Sequence, residues 1–384
     1  MGKRLPIDTY CEKKIATLQK TYDGLIDYVD ISSVDNTKKR IVSVQTMEAE
    51  NAPSRAKQLL KKGDILVSTV RPNLNAVAIV EEETDNLMVG STGYCVLRCK
   101  DTMDARYLFN FCQSQYFVDD MASQATGASY PAVSSSIVKN SLIPVCSLEE
   151  QRIIAERIDT VRELIDLRHQ QLKQLDELVK SRFIELFGNE TEFDKWACCQ
   201  VGDVAEVCVG VVIKPTQYYT ISGIPAFRSL NIGEMRVRDN DWVYFTEEGH
   251  KKNQKSIIRK NDVLIVRSGA PGTACVATEK YDGYNAVDII IARPNQLKVN
   301  STFLAAFTNM PHGMKQIREK TGGAAQQHFN VGGYKALRLI LPPMELQNEF
   351  ATFVEQTDKL KLAVTEALTE LETLKKSLMQ QYFG

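Results

Sequence analysis

The sequence lacks the motifs with which enzymes commonly hold nucleotides, methyl donors or metal ions. It contains no GxxxxGK[ST] phosphate-binding loop, and no GxGxxG follows a predicted strand. HExxH and GxSxG are missing as well, and the 4 histidines are scattered along the chain. We therefore expect no catalytic residue, no metal ligand and no cofactor in this chain.

Long apolar runs and paired cysteines are also missing. A membrane-spanning helix needs about 18 or more consecutive apolar residues, and the sequence has no such run. The start, from Met1 to Tyr10, has no apolar stretch behind its basic residues, so no signal peptide is predicted. The 9 cysteines form neither a CxxC pair nor a Cys/His cluster, which is typical of free thiols in a reduced cytoplasm.

Neither sign of charge dominates the composition. Lysine and arginine number 47, aspartate and glutamate number 48, and the net charge is −1. Phosphate neutralisation usually requires a basic face, so this balance argues mildly against a nucleic-acid binder. The distribution weakens that objection, because residues 189–341 carry 19 basic and 15 acidic side chains while 146–188 and 342–384 are acidic.

The chain contains an internal repeat at an offset of 196 residues. Residues 148–188 match 344–384 with 11 of 41 positions identical, including a glutamine near the start and a closing Phe-Gly. A weaker match joins residues 61–67 to 259–265. A repeat of this kind predicts the order globular domain, helix, globular domain, helix. The alternative interpretation is that the repeat duplicates a structural unit and that the two copies share no function.

Each repeated segment is predicted to form one long helix. Apolar residues recur at alternating spacings of three and four, which is a heptad pattern. Ser147 and Glu150 form a predicted capping box, and Pro342-Pro343 blocks helix before Met344. A long helix with an apolar stripe needs a partner, so we predict that the two helices pair as an antiparallel coiled coil. The predicted seams are Ile154, Ile158, Val161, Ile165, Leu172, Leu175 and Val179 in the first helix and Phe350, Val354, Thr357, Lys361, Val364, Leu368, Leu371, Lys375 and Leu378 in the second.

The predicted fold class is α+β with a pseudo-two-fold internal repeat. Two mixed, strand-rich globular domains, 1–146 and 189–341, are separated by two long helices, a central one at 147–188 and a C-terminal one at 342–384. Strands and short helices are expected inside the domains. The predicted strands are 64–70, 76–80, 94–97, 262–267 and 287–292, and the predicted short helices are 107–114 and 302–308.

Polar and basic loops recur after equivalent strands in both halves and are the remaining candidates for function. Arginine can read guanine with two hydrogen bonds, asparagine can read adenine, and lysine suits phosphate. Any one of these charged residues, taken alone, could equally lie on a solvated surface that does not contact DNA. A second pair of loops, 126–129 and 321–324, indicates either a DNA contact or a turn, and we favour the turn. The candidate DNA-binding residues are Lys39, Arg40, Arg55, Lys57, Ser68, Arg71, Asn73, Arg228, Asn231, Lys251, Lys252, Lys255, Arg267 and Ser268.

The arrangement resembles the specificity subunit of type I restriction-modification enzymes, and the resemblance covers essentially the whole chain. Its most specific part is the pair of helices, which are similar to the central and C-terminal conserved helices of that family. Parts of the two globular domains are similar to target-recognition domains. The matching segments are 148–151, 178–183, 187–188, 341–347 and 374–384 in the helices and 28–35, 63–66, 223–232 and 262–264 in the domains.

The resemblance implies a subunit that binds double-stranded DNA at a two-part site. Each recognition domain would read one half-site, and the helix pair would set the distance between the half-sites. It also implies two methyltransferase subunits docked on the helices and a motor-nuclease subunit attached through them, with catalysis supplied by those partners. The main alternative is a coiled-coil scaffold that joins two small domains without binding DNA. A third hypothesis, that the chain is itself a nuclease, has no support beyond scattered carboxylates such as Asp64 and Asp262. We interpret these two as turn residues before strands.

Overall fold

The computed structural model describes most of the chain. Residue 128 and residues 322–324 of the two predicted loops lie outside the described residues, and Glu190 is described in its backbone alone. The described residues are 3–127, 129–321 and 328–384.

Internal contacts divide the chain into two units. Unit 1 consists of Met1–His169 with Glu366–Gly384, and unit 2 consists of Gln170–Thr365. Each unit therefore contains a strand-rich body and one segment of each long helix. Among the helices of the described residues, none is long and apolar enough to cross a membrane.

Unit 1 is built from short strands and short helices. The strands are β1 (Arg4–Pro6), β2 (Leu25–Val29), β3 (Val34–Asp35), β4 (Arg40–Ile41), β5 (Gln45–Glu48), β6 (Ala56–Leu59), β7 (Ile65–Ser68), β8 (Val77–Ile79), β9 (Leu87–Ser91), β10 (Tyr94–Leu97) and β11 (Leu142–Pro144). Strands β5-β2-β9-β6 form a mixed sheet in which β2 and β9 run parallel, and β10-β7-β8 form an antiparallel sheet. The helices are α1 (Ala105–Phe111), α2 (Gln115–Ser123), α3 (Ser135–Asn140) and the first part of α4 (Leu148–Phe187).

Unit 2 has the same kind of architecture. The strands are β12 (Cys198–Gln200), β13 (Ala205–Val209), β14 (Tyr219–Thr220), β15 (Ile224–Phe227), β16 (Ile232–Gly233), β17 (Arg236–Val237), β18 (Val243–Phe245), β19 (Val263–Val266), β20 (Ala274–Val276), β21 (Asn285–Ala286), β22 (Ile289–Pro294) and β23 (Arg338–Ile340). Strands β13-β22-β19-β20 form an antiparallel sheet, and β14-β18-β15-β21 form a mixed sheet in which β15 and β21 run parallel. The helices are α5 (Val201–Val204), α6 (Glu247–Lys252), α7 (Ser301–Asn309), α8 (Pro311–Glu319), α9 (Val331–Lys335) and α10 (Met344–Phe383), whose last part belongs to unit 1.

The two units repeat one plan. Strand β7 lies between β10 and β8 in unit 1, as β19 lies between β22 and β20 in unit 2. The pair β1-β11 corresponds to β12-β23, which gives the start of the chain a counterpart that the sequence alone did not show. The predicted strands at these positions are confirmed, and β10 has the predicted bounds. The predicted α+β fold with an internal repeat is therefore correct.

A buried carboxylate–arginine pair sits at the start of the central strand in each unit. Asp64 accepts hydrogen bonds from the Lys61 backbone at 2.9 Å and from Arg98 at 2.7 Å. In unit 2, Asp262 accepts from the Arg259 backbone at 2.9 Å and pairs with Arg293 at 3.4 Å. Both aspartates are almost fully buried. The prediction that they are turn residues before strands is confirmed.

Matched glutamines fix the beginning of each long helix. Gln151 Oε1 accepts from the Asp104 backbone N–H at 2.8 Å, and its Nε2 donates to the Cys146 carbonyl at 3.1 Å. Gln347 makes the equivalent bonds in unit 2, where the Asn300 N–H donates to its Oε1 at 2.9 Å. Both glutamines are buried. Each bonds the start of a long helix to the N-cap of α1 or α7, which explains why both copies of the repeat have glutamine at this position. The predicted capping box at the start of α4 is present as well.

Helices α4 and α10 run antiparallel within each unit. In unit 1, Arg157 near the start of α4 donates to the Tyr382 hydroxyl near the end of α10 at 3.0 Å. In unit 2, Arg182 near the end of α4 pairs with Glu349 near the start of α10 at 2.5 Å. The predicted seam residues are buried or half-buried throughout. The predicted antiparallel coiled coil is therefore correct.

The predicted seam contains two lysines, Lys361 and Lys375, in different surroundings. Lys361 pairs with Asp176 of the facing helix at 2.7 Å. Burial lowers the pKa of Lys375, with Arg162 lowering it further and Asp166 acting in the opposite direction. An ion pair across the seam therefore accommodates Lys361, whereas Lys375 is half-buried beside both a positive and a negative side chain.

Aromatic side chains join the ends of the helices to the domain cores. Phe383 packs on Tyr107, with ring centroids 5.2 Å apart, and Phe187 packs on Phe303 at 4.8 Å. Both phenylalanines are fully buried. The closing Phe-Gly of each repeated segment is thus an anchor between a helix and a core.

The same packing predicts where the helix pair is sensitive to mutation. Phe350 is fully buried and its ring lies 5.5 Å from that of Phe183. Because Phe350→Ala leaves a cavity, we expect it to lower the free energy of unfolding by about 3–5 kcal/mol in urea titrations followed by circular dichroism. The control Leu362→Ala, on the same helix and 61% exposed, should cost no more than about 0.5 kcal/mol. Equal losses for the two variants would contradict this packing.

Candidate nucleic-acid interface

The loop after β19 holds two of the predicted residues in a fixed arrangement. Arg267 Nη1 pairs with Asp288 at 2.6 Å, and its Nε donates to the Phe329 carbonyl at 3.2 Å. The Phe329 N–H donates in turn to the Arg267 carbonyl at 3.0 Å. Next to it, Ser268 Oγ lies 2.7 Å from His328 Nδ1. The end of β19 and the chain around 328–329 therefore form one polar surface.

Asp288 connects this surface to the end of β13. Its φ of +49° is a left-handed conformation, which a residue without special constraints rarely adopts. Its N–H donates to the Val211 carbonyl at 3.2 Å while its carboxylate holds Arg267. The neighbouring Val287 N–H donates to the Phe227 carbonyl at 2.8 Å, directly before the predicted residue Arg228.

The three predicted lysines of unit 2 lie on one short segment. Lys251 and Lys252 end α6, and Lys255 follows it; all three are exposed. Together with residues 209–211 they line an open groove of about 400 Å³. The segment is anchored by the buried Asn285, whose Oδ1 accepts from Ser256 at 2.6 Å. The structure therefore brings these lysines next to the strand end that contacts Asp288.

Within the described residues, the side chains of Arg228 and Asn231, unlike those of the three lysines, are hydrogen-bonded to the protein backbone. Asn231 is fully buried, its Oδ1 accepts from the Arg228 N–H at 2.9 Å, and its Nδ2 donates to the Asn240 carbonyl at 2.6 Å. The Arg228 guanidinium donates to the Asp241 carbonyl. Both side chains thus brace the turn between β15 and β18 in this conformation.

The loop after β7 is the counterpart in unit 1. Ser68 is buried and donates to the Val70 carbonyl at 3.0 Å, whereas Arg71 and Asn73 are exposed. Arg71 has a φ of +50°, its N–H donates to the Pro131 carbonyl at 2.7 Å, and its guanidinium lies 4.9 Å from the ring centroid of Tyr130. The exposed Arg71–Tyr130 pair is a flat cationic and aromatic surface suited to bases.

Backbone hydrogen bonds connect Arg55 and Lys57 to the same region. The Thr92 N–H donates to the Arg55 carbonyl at 2.8 Å, and the following Gly93 carbonyl accepts from Thr69 at 2.9 Å. Thr69 lies two residues before Arg71. Lys57 follows two residues after Arg55, and the side chains of both are exposed. Backbone hydrogen bonds therefore connect Arg55 and Lys57 to the loop that carries the predicted residues Ser68, Arg71 and Asn73.

Lys39 and Arg40 lie at the margin of that area. Lys39 has a φ of +57°, and its ammonium donates to the carbonyl of Asn75, at the end of the Arg71 loop. Arg40 pairs with Asp166 of α4 at 3.2 Å, with both side chains about half exposed. Burial lowers the pKa of Lys39 to about 8, with a further lowering by Lys375 and an opposing effect of Asp35.

Sequence reasoning did not single out Tyr130, Asp288 or His328 as site residues. Each of them is brought to its partner by a chain segment far away in the sequence, so local pattern carried little signal for them. The available signal was positional, because Tyr130 and His328 both follow the paired loops 126–129 and 321–324. Within the described residues, no group of three or more His, Cys, Asp or Glu is placed to hold a metal ion.

A sequence model described as "Type I restriction modification DNA specificity domain" matches residues 9–177 and again residues 194–375. This chain belongs to that family. The type I restriction enzyme StySPI specificity subunit of Salmonella potsdam is 23% identical over 314 residues, which are 75% of this chain and 66% of that protein. The chain thus spans slightly less than two thirds of this family member.

Solved structures agree with the family assignment. A chain from a study of complex assembly and conformational transition of the type I R-M system is 25% identical, with a TM-score of 0.64 and coverage of 100% of this chain and 97% of that chain. The S subunit of a type I restriction-modification system from M. genitalium has a TM-score of 0.59 at 15% identity, covering 100% and 96%. The second likeness concerns the fold alone.

The lowered pKa of Lys39 predicts a pH dependence of stability. The folded chain releases this proton at a pH of about 8, whereas an unfolded lysine holds it up to its ordinary value of 10.5. The unfolded state therefore binds more protons between these values, and stability should rise with pH there. Relative to Lys39→Met and Lys39→Arg, the urea midpoint of the wild-type protein should increase across this range. A constant difference between wild type and both variants would contradict the prediction.

Proposed function

We propose that this chain is the DNA sequence-recognition subunit of a type I restriction-modification complex. In this proposal each recognition domain reads one half of a bipartite site on double-stranded DNA. The observation that carries it is the placement of exposed or half-exposed arginine and polar side chains after the equivalent strands β7 and β19. Because the residues in the two loops differ, each domain is expected to read a different base sequence.

The surroundings of the candidate residues suggest different roles. Arg71, Asn73, Arg267 and Ser268 lie in the loops after the central strands and are proposed to contact bases. The exposed cations and the half-buried Lys39 are proposed to contact phosphates, since a positive charge neutralises a phosphate without reading a base. Ser68, Arg228 and Asn231 are proposed to hold the loops in shape, because their polar atoms are bound to the protein backbone. The proposed phosphate contacts are Lys39, Arg40, Arg55, Lys57, Lys251, Lys252 and Lys255.

The proposed recognition domains are 1–146 and 189–341, with 147–188 and 342–384 as the helices that join them. A role of the helix pair in setting the distance between half-sites is part of the proposal. We also propose that the chain is non-catalytic and needs no cofactor. Support comes from Asp64 and Asp262, whose carboxylates are buried and engaged with Arg98 and Arg293.

Two methyltransferase subunits are the proposed partners on the helices, with a motor-nuclease subunit joined through them. Leucines at equivalent repeat positions remain exposed on α4 and α10, away from the seam. Unit 1 presents Leu164 and Leu374, and unit 2 presents the equivalents Leu360 and Leu178, each 41–57% exposed. The same pair of exposed leucine positions in each unit suits two copies of one partner. A cytoplasmic location is proposed because the substrate is cellular DNA.

A domain exchange tests the proposed division of the DNA site. Replacing residues 189–341 with those of a family member of known site should change one half-site and leave the other intact. Sequencing the methylated positions in a host that carries the exchanged chain and its partners measures both half-sites. A change in both half-sites, or in neither, would contradict the assignment of one domain to one half-site.

Arginine substitutions test the proposed base contacts. Arg71→Ala or Arg267→Ala should weaken binding of the assembled complex by about 1–3 kcal/mol on a duplex that contains the base contacted by that arginine. On a duplex in which that base is changed, the same substitution should cause a smaller loss of affinity. Fluorescence anisotropy on a set of singly substituted duplexes measures this. The control Arg338→Ala, 69% exposed on β23, should leave affinity unchanged.

The coiled-coil scaffold remains the second candidate. It is distinguished by salt dependence, because phosphate contacts make affinity fall steeply with ionic strength. An assembled complex without salt-dependent DNA affinity would favour the scaffold. A uniform loss in the arginine variants across all duplexes would instead mark these residues as phosphate contacts.

A further inference from the structure

The chain after β13 carries an apolar tip in unit 2. Val212 is 44% exposed and Ile213 is 79% exposed. Single exposed apolar residues are common on protein surfaces, so exposure alone indicates nothing. The surroundings of this tip distinguish it from other exposed residues of the unit.

The base of the tip is held rigidly on the sheet. The Gly210 N–H donates to the Ile289 carbonyl at 2.9 Å, and the Val211 N–H donates to the Ala286 carbonyl at 2.8 Å. The Asp288 N–H donates to the Val211 carbonyl at 3.2 Å. A Cβ atom at Gly210 would lie 2.7 Å from the Ala286 carbonyl carbon, so a glycine is needed for this close approach. The apolar side chains therefore project from a fixed base.

Positive charge flanks the tip. Val211 lines the same groove of about 400 Å³ as Lys251, Lys252 and Lys255. Lys252 pairs with Glu248 at 2.5 Å. In the part of the chain that the structure describes, Lys251 and Lys255 have no carboxylate within ion-pair distance. An apolar tip beside free lysines is complementary to a polyanion that also offers apolar surface, which is the chemistry of stacked bases between phosphates.

The tip is also continuous with the proposed base-reading loop. The carboxylate of Asp288 holds Arg267 at 2.6 Å, and its N–H holds the Val211 carbonyl. One residue thus positions both the arginine and the base of the tip. A duplex contacted by Arg267 would lie next to Val212 and Ile213.

Unit 1 has no such tip at the equivalent position. The strand pairing gives the equivalent segment of unit 1: the Lys100 N–H donates to the Tyr10 carbonyl as the Asn295 N–H donates to the Val204 carbonyl, so residues 16–19 correspond to 210–213. There the Ala16 carbonyl accepts from the Leu59 N–H at 2.9 Å, and Thr17 bridges to Gln58. This segment is paired with β6 rather than projecting, so the feature belongs to the second domain.

We infer that Val212 and Ile213 form an apolar wedge that inserts between adjacent base pairs of the half-site bound by the second recognition domain. The inference deepens the proposed function and rests on it. Inserted apolar side chains unstack a base step and kink the duplex. Pyrimidine–purine steps unstack most readily, so the wedge would add sequence preference at a step without hydrogen bonds to base edges.

The test uses the full chain assembled with its methyltransferase partner and a duplex of the site found by methylome sequencing. 2-Aminopurine placed at successive positions should brighten at one step on binding, because unstacking relieves its quenching. Ile213→Ser should abolish that signal and weaken binding about tenfold, with the largest loss at flexible steps. The matched control is Leu297→Ser, an 88% exposed apolar residue in the same unit, which should change neither.

The outcomes separate the wedge from the proposed function. Salt-dependent, sequence-specific binding with no brightening at any step would overturn the wedge alone. Thymine can also be replaced by uracil, which lacks the 5-methyl group. If this replacement weakens binding as much as Ile213→Ser does, and no step brightens, Ile213 contacts a thymine methyl group and does not insert between base pairs. A complex without sequence-specific DNA affinity would overturn the proposed function itself. Brightening that survives Ile213→Ser would assign the distortion to another element and contradict the inference.

Discussion

A long amphipathic helix cannot leave its apolar stripe in water, and this constraint organises the molecule. Helices α4 and α10, each 40 residues long, bury their stripes against one another in each unit and bury Phe187 and Phe383 in the domain cores. The buried glutamines Gln151 and Gln347 then fix each helix start to the N-cap of a domain helix. Because helix and domain share one core, the candidate loops are carried on a close-packed scaffold.

The candidate interface follows a consistent division between buried and exposed groups. The buried pairs of Asp64 with Arg98 and Asp262 with Arg293 fix the starts of the central strands, and the loops at the other ends carry exposed side chains. Removing one partner of such a pair would leave an uncompensated charge, so these positions resist change while the loops tolerate it. Two domains of one plan can therefore carry different loops, such as Arg71 beside Tyr130 in one and Arg267 beside Asp288 in the other.

The sequence predicted the features that depend on periodicity and repetition. The heptads predicted the helix pair, residues 262–267 predicted a central strand, and the Ser147–Glu150 capping box and Pro342-Pro343 predicted the helix starts. What it did not predict depends on segments that meet only in the folded chain. Asn231 has the residue type of a base reader but is buried as a turn brace, and Tyr130 reaches Arg71 from 59 positions away. The charge of Lys361 on the predicted apolar seam is balanced by Asp176 of the facing helix, a partner that becomes visible only in the folded chain.

The composition of unit 1 has a consequence for the order of folding. Its core includes Phe383, whereas unit 2 is made of the continuous stretch Gln170–Thr365. A chain emerging from the ribosome can thus complete the later-made unit before the earlier-made one, because unit 1 waits for the last turns of α10. Closing that contact across more than two hundred residues carries a loop-closure cost that grows slowly with length but delays assembly. During this interval the first domain exposes the apolar surface that Phe383 covers, and transiently exposed apolar surface favours aggregation.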